Sequence, residues 1–564
     1  MSGVPRTGAQ ILVDQLAIHG VDRVFCVPGE SYIAILNGLY DTPSIRLVTC
    51  RQEGGATMMA DADAKLTGRP GIVMVSRAPG AMNGSAGLHV ARQDATPLIM
   101  LIGQVARGTI EREALQAIDY RQMFGPVAKW VAQIERAAHI PEFLSQAFHV
   151  AVNGRPGPVV LAVPEDVQTE SANAADGARY QVAATYPSPA AMAAVEAALG
   201  EAKRPFVILG GTTWTREAVA QIERFAAARR LPVACAFRRQ HLFDNAHECY
   251  AGDVAIGINP KLAKMIGEAD LLLAIGARLG EVTTSRYTLL DIPVPKQKLI
   301  HVYPDPEELG RVYRPFLSIA AASRDFAAAL AAMPAPGQNA GGASLRSERT
   351  AAAHADYLAF RTPVKNPGPV QMSEIVAWLD AHVGEDTIVA NGAGNFAPWV
   401  TRFHCYRGFG TQLAPTSGSM GYGLPAAVAA ALRHPERFVL CFTGDGDFLM
   451  TGQEFATAIA HRARVIVIVV NNNSYGTIRM HQEMHYPGRT IATDLVNPDF
   501  AALARAYGGH GEVVEATAQF ADAFTRARDS GKPALIEIRL DLEAINPARS
   551  LSDVRNEALS AGRR

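Results

Sequence analysis

Between Val439 and Gly476 an apolar run, VLCF, leads into the turn TGDGDF, a helix-length segment, a second apolar run, IVIVV, and the loop NNNSYG. Short β-branched runs separated by one helix length have the make-up of a parallel strand–helix–strand unit. Asp445 and Asn472, 27 positions apart, then sit at carboxyl-end loops, where open parallel sheets bind ligands. An Asp carboxylate and an Asn amide oxygen are hard ligands suited to Mg²⁺, which leaves positions for phosphate oxygens. Gly444 and Gly446 lack side chains, so backbone there can approach a diphosphate. A GDG alone reads as a generic turn and NNN as a polar loop; the pair, flanked by these strands, is far more specific.

This pairing resembles the magnesium–diphosphate motif of thiamine diphosphate (ThDP) enzymes, GDG followed after about 25 residues by NN. The resemblance implies Mg²⁺ held by the side chains of Asp445 and Asn472 and by the backbone carbonyl of Ser474. Gly446, Tyr475, Gly476 and Thr477 then border the diphosphate. Asp447 stands where the family more often has Ser. A second carboxylate beside a diphosphate is unfavourable unless it points away or meets a cation, and the sequence offers no account of it.

Residues 1–180 alternate RVFCV, GIVMV, PLIMLIG and PVVLAV with Ala-rich segments, 188–335 do the same with FVILGG, LPVACAF, LLLAIGA and KLIHVY, and 366–548 hold DTIVANG, RFVLCFTGDG, RVIVIVV and PALIEIRL. The pattern predicts α/β architecture with three doubly wound parallel-sheet domains, which 564 residues can supply. A Gly/Ala/Ser/Gln-rich stretch predicts a linker over 336–365, and 549–564 is a C-terminal tail whose end, SAGRR, carries no structure signal. IVMV at Ile72 and LIML at Leu98 echo VLCF and IVIV at nearly the same spacing. Two domains of like fold, facing each other across a cofactor, would show this.

Glu53, in RQEGGATMMADADAKLTGRPG, sits where a strand-like run meets a helix. An acid there also suits a helix N-terminus. The text around it resembles the pyrimidine-binding domain of acetolactate synthase and its relatives, whose RHEQGA carries the catalytic acid. The resemblance implies that Glu53 hydrogen-bonds the cofactor's aminopyrimidine and promotes the imino tautomer that takes the thiazolium C2 proton. Gly29 and Asn83 are placed near the pyrimidine by the same likeness. SGSMGYGLPAA resembles GAMGFGLPAA, which makes Gly418 and Met420 a cofactor support, Met420 wedging ThDP into a bent shape. NGAGNFAPW resembles TGVGQHQMW, which brings Gly394, Asn395 and Phe396 to the diphosphate.

The likeness thins at substrate positions. Gln116 is kept in EALQA, where the synthases read DAFQE, and Leu115 replaces their Phe. His481 stands where they have the Trp that shapes the acceptor pocket, and is read as a catalytic candidate able to shuttle a proton; His89 and His485 are further titratable candidates. The synthases' FAD text is replaced by YAGDVAIG and RLGEVTT, so neither bound FAD nor acetolactate synthesis itself is expected.

Taken together, the sequence predicts a ThDP- and Mg²⁺-dependent carboligase that decarboxylates a 2-oxo acid and joins it to a second carbonyl compound. Simple decarboxylation, or lysis of a 2-hydroxyketone, is the alternative; a non-catalytic ThDP-binding protein is more remote. A charge balance of -1, from 53 basic and 54 acidic residues, gives no case for nucleic acid or an anionic membrane. No apolar run approaches membrane-spanning length and the six cysteines are scattered, which predicts a cytoplasmic protein. The resemblance further implies a homodimer or homotetramer whose sites lie between the first domain of one subunit and the third of another.

Overall fold

In the computed structural model, residues 4–334 and 343–561 are described. Three six-stranded parallel sheets dominate. The first comprises β1 (Arg23–Cys26), β2 (Arg46–Thr49), β3 (Gly71–Val75), β4 (Leu98–Gln104), β5 (Trp130–Gln133) and β6 (Pro158–Pro164). The central one comprises β7 (Pro205–Leu209), β8 (Val233–Ala236), β9 (Tyr250–Val254), β10 (Leu271–Ile275), β11 (Lys298–Tyr303) and β12 (Leu317–Ala320). The third comprises β13 (Ile388–Asn391), β14 (Gln412–Leu413), β15 (Val439–Gly444), β16 (Ile466–Asn471), β17 (His510–Val514) and β18 (Ala534–Arg539).

The first sheet runs β2-β1-β3-β4-β6-β5 and the third β14-β13-β15-β16-β18-β17, the same order within each domain. The echo in the sequence thus marks β3–β4 and β15–β16 as equivalent pairs. Central strands such as β4 and β16 are buried along their whole length, as continuous apolar runs covered on both faces must be. The central sheet runs β9-β8-β7-β10-β11-β12 and reverses direction between β7 and β10.

The first and third domains share one hydrophobic core. At its centre the helix Glu53–Thr67 (EGGATMMADADAKLT) packs on the helix Gly423–Arg433 (GLPAAVAAALR), and their Ala and Gly residues are buried. Small side chains let the two backbones approach closely. Polar pairs flank the contact: Tyr422 donates to Asp61 at 2.7 Å, and Arg433 bridges Asp63 at 2.7 Å and Asp22 at 2.9 Å.

Two expectations need correction. Within the expected linker 336–365, Ala343–Phe360 is a helix seated on the central domain, while 335–342 lie outside the described residues. Its buried stripe is Arg346, Thr350, Ala353 and Tyr357. Two of these four are polar, so the helical period is faint in hydropathy; Arg346 buries its stem and donates to the carbonyls of Leu199 and Ala202. The C-terminal tail is likewise helical over Leu551–Ala561, which takes in the first two residues of SAGRR. Arg555 there bridges the buried Glu483 at 2.5 Å. Tertiary pairing, rather than apolar content, orders it.

Among the described residues no helix is long and apolar enough to cross a membrane.

Candidate active site

β15 and β16 are hydrogen-bonded neighbours, Gly444 opposite Val470, so the loops after them open side by side. There lies a cavity of about 270 Å³. Every third-domain residue singled out from the sequence for the cofactor or metal lines it, from Gly394, Asn395 and Phe396 through Gly418 and Met420 to the segments Gly444–Asp447, Asn472 and Ser474–Thr477. Trp399, Ile478, Leu540, Ala544 and Ile545 add apolar wall.

Asp445 is 3% exposed. Its Oδ2 accepts the N–H of Ser474 at 3.2 Å and the side-chain amide of Asn497 at 2.8 Å, which brings the two loops together. Burial pushes its carboxyl above the ordinary range. Asn497 also donates to Asn471 and Asn473. It escaped the sequence reading because it lies 25 positions beyond Asn472, in a segment without strand or helix signal. The Thr493 carbonyl accepts the N–H of Tyr475 and the Asn473 carbonyl that of Leu495, each at 2.9 Å, which lays that segment over the loop.

The cavity fits a metal-held diphosphate on several counts. A Cβ on Gly446 would come within 2.6 Å of the Tyr475 ring. Gly418 has φ +68°, a backbone state that favours glycine. The buried Ser474 Oγ and Trp399 Nε1 have no partner among the described residues, although buried polar atoms normally have one.

Asp447 now has an account. It is 2% exposed. Its carboxylate accepts from Gly421 N–H at 2.7 Å, Ala393 N–H at 3.3 Å and the Thr443 hydroxyl at 2.6 Å. Burial pushes the group up to about 6, and the buried Arg238 guanidinium acts the other way. Arg238 itself donates to the carbonyls of Gly392 at 2.9 Å and Pro415 at 2.5 Å. The extra carboxylate is thus engaged in tying three loops together.

The first-domain candidates form a second group, none of which lines that cavity. Glu53 begins its helix one residue after β2's loop, and its Oε2 accepts the Asn83 amide at 3.0 Å. Gly80 lies against Oε1, where a Cβ would come within 3.0 Å. Gly29, at the end of β1, packs on Ser76, which follows β3. The Gln116 carbonyl accepts the N–H of Ala78 at 3.3 Å, and its own φ is +66°. Asn83 and Gln116 are exposed, as are Met82 and Leu115.

His481 lies on the helix Gly476–His485, its ring stacked 6.3 Å from that of His485. Neither ring borders the cavity, although Ile478 one turn earlier does. His89 is elsewhere: it borders a separate cavity of about 460 Å³ beside the central sheet, with Arg239, Arg278 and Tyr303.

Three family models match the chain: "Thiamine pyrophosphate enzyme, N-terminal TPP binding domain" over residues 6–123, "central domain" over 192–330, and "C-terminal TPP binding domain" over 392–538. Similar proteins include acetolactate synthase isozyme 1 large subunit of Escherichia coli K12, 30% identical across 95% of this chain and 94% of that one. Acetolactate synthase large subunit of Parasynechococcus marenigrum is 30% identical across 96% and 88%. Among solved structures, a Rhodococcus jostii RHA1 thiamine diphosphate-dependent 4-hydroxybenzoylformate decarboxylase superposes with a TM-score of 0.82 at 26% identity, covering 95% of this chain and 99% of that one.

Proposed function

Because the chain belongs to the thiamine pyrophosphate-dependent enzymes, with acetolactate synthase large subunits among its relatives, we propose that it decarboxylates a 2-oxo acid and joins the retained acyl carbon to a second carbonyl compound. The observation that carries this reading is the convergence on one cavity of the third-domain residues around Asp445 and Asn472. The runner-up, decarboxylation without ligation, is supported by the likeness to a decarboxylase. The reverse cleavage of a 2-hydroxyketone uses the same groups.

Asp445, Asn472 and the Ser474 carbonyl would hold Mg²⁺. One carboxylate and two neutral oxygens suit a cation that shares its charge with phosphate. ThDP, when bound, supplies the carbon nucleophile and the electron sink for loss of CO₂. Glu53 would hold and return a proton at the pyrimidine ring nitrogen. Asn83 occupies its Oε2, which leaves Oε1 for that exchange. Met420 would support the cofactor between its two ends. The apolar wall of Trp399, Ile478 and Leu540 would exclude water from the reacting carbon.

None of the Glu53 group lines the Asp445 cavity, and exposed apolar residues border both: Met82 and Leu115 on one side, Ile478 on the other. This supports a site closed by a second copy, in a two-fold dimer or a tetramer of such pairs. The absence of any disulfide among the six cysteines supports a cytoplasmic setting.

The test is incubation of the purified protein, ThDP and Mg²⁺ with a panel of 2-oxo acids, with and without aldehydes, followed by product identification. A 2-hydroxyketone is expected. Free aldehyde alone selects the runner-up, and no turnover across the panel defeats both.

A further inference from the structure

The loop that presents Glu53 is gripped from the third domain. Glu454, the first residue of the helix Glu454–His461, has 0% exposure. Its Oε1 accepts the N–H of Gln52 at 2.9 Å and of Arg51 at 3.2 Å, and its Oε2 accepts the Thr457 hydroxyl at 2.6 Å. Gly55 is pressed on the same carboxylate, where a Cβ would come within 2.5 Å of Oε1. Gln52 closes the arrangement by accepting the N–H of Gly55 at 3.0 Å.

A buried carboxylate is costly unless it is fully hydrogen-bonded. Here the bonds come largely from backbone at the start of the Glu53–Thr67 helix, whose positive end favours an anion. One side chain from another domain therefore binds the two backbone N–H groups just before Glu53 and packs against Gly55 just after it. The other contacts of Glu53 do not cross from another domain: Asn83 and Gly80 meet its carboxylate, and the Thr57 hydroxyl, one turn along the same helix, donates to its carbonyl at 2.7 Å.

We propose that Glu454 is a positioning residue for Glu53, setting the height and direction at which the first domain offers its acid to the cofactor. This rests on the reading of Glu53 as that acid. Glu454 follows Asp445 by nine positions. In a two-fold dimer the stretch of chain that forms one diphosphate site therefore aims the acid serving the other.

The test uses Glu454→Ala, with Glu454→Gln as the milder change, each as full-length protein. Without cofactor, amide hydrogen exchange at Arg51–Gly55 should rise by about tenfold or more, because the loop loses its acceptor. With ThDP and Mg²⁺, kcat should fall by roughly 10- to 100-fold while calorimetric ThDP affinity stays within about threefold, as misplacement of a catalytic group predicts. Added to Glu53→Gln, either change should cost nothing further, since its effect passes through Glu53. Faster exchange with kcat unchanged, or a full additional loss in the Glu53→Gln background, overturns the proposal while leaving Glu53 as the acid. If Glu53→Gln alone keeps turnover near wild type, the reading beneath the proposal fails instead. Should Glu454→Ala not fold, Glu454→Gln carries the same comparisons.

Discussion

The Asn497 side-chain amide donates to Asp445 Oδ2 at 2.8 Å and so fixes the carboxylate read as the magnesium ligand. Asn497→Leu removes that donor and one of the two that reach Asn471. Loss of a hydrogen bond to a charged group costs about 1.5–3 kcal/mol, so Mg²⁺-dependent ThDP affinity should drop by roughly tenfold or more. Titration calorimetry giving the wild-type affinity would show that the amide does not hold the metal site.

Mixing two inactive chains tests the inter-subunit site directly. Glu53→Gln should retain ThDP and lose turnover; Asp445→Ala should fail to retain the cofactor. If each site draws Glu53 and Asp445 from different copies, an exchanged Glu53→Gln/Asp445→Ala dimer has one intact site, and an equimolar mixture should recover about a quarter of wild-type activity. No recovery, with exchange verified by mass spectrometry, means one chain builds the whole site.

Asp253 in β9 gives a pH signature in the central domain. Burial raises its carboxyl to about 7, above the ordinary value of an unfolded Asp. The unfolded chain therefore ionises first, and this group's contribution to stability falls as pH rises from about 4 to about 7. Asp253→Asn lacks that slope, so the Tm difference, wild type minus variant, should decline across this window. A constant difference in Tm scans from pH 4 to 8 would contradict it.

The purified protein should carry no flavin. At the reversal point of the central sheet, where dinucleotides bind in such folds, the buried Arg239 donates to the carbonyl of Gly211, and the flavin-binding text of the synthases is absent. A stoichiometric flavin spectrum after desalting would overturn this and favour acetolactate synthesis.

His481→Trp should shift acceptor preference towards short aliphatic carbonyl compounds. The bulky ring would project from the same helix as Ile478, narrowing the approach. A change of about a methylene's worth of contact gives roughly 10- to 200-fold in specificity ratio. An unchanged ranking of acceptors would remove His481 from the pocket.

The strand runs and glycines around Asp445 and Asn472 were legible because both the local pattern and the final sheet require them. Even the like order of the first and third sheets was foreshadowed by one repeated spacing. Asp447 was not legible: beyond the nearby Thr443, its partners Gly421 and Ala393 lie 26 and 54 positions away, and only folding brings them to it. The same holds for Glu454, whose backbone donors Arg51 and Gln52 lie 403 and 402 positions away. The helix Ala343–Phe360 hid because its buried face is half polar. Tertiary pairing leaves no periodic trace.

The core shared by the Glu53–Thr67 and Gly423–Arg433 helices also bears on how the chain is made. A ribosome finishes the first helix more than 350 residues before the second. Throughout that interval Met58, Met59 and their alanine neighbours have no lasting cover, the kind of exposed apolar surface that chaperones bind. The cooperative unit is not a contiguous stretch of sequence but the two ends of the polypeptide, with the central domain completed in between. A chain halted before residue 433 should therefore be held by chaperones rather than released as a finished domain.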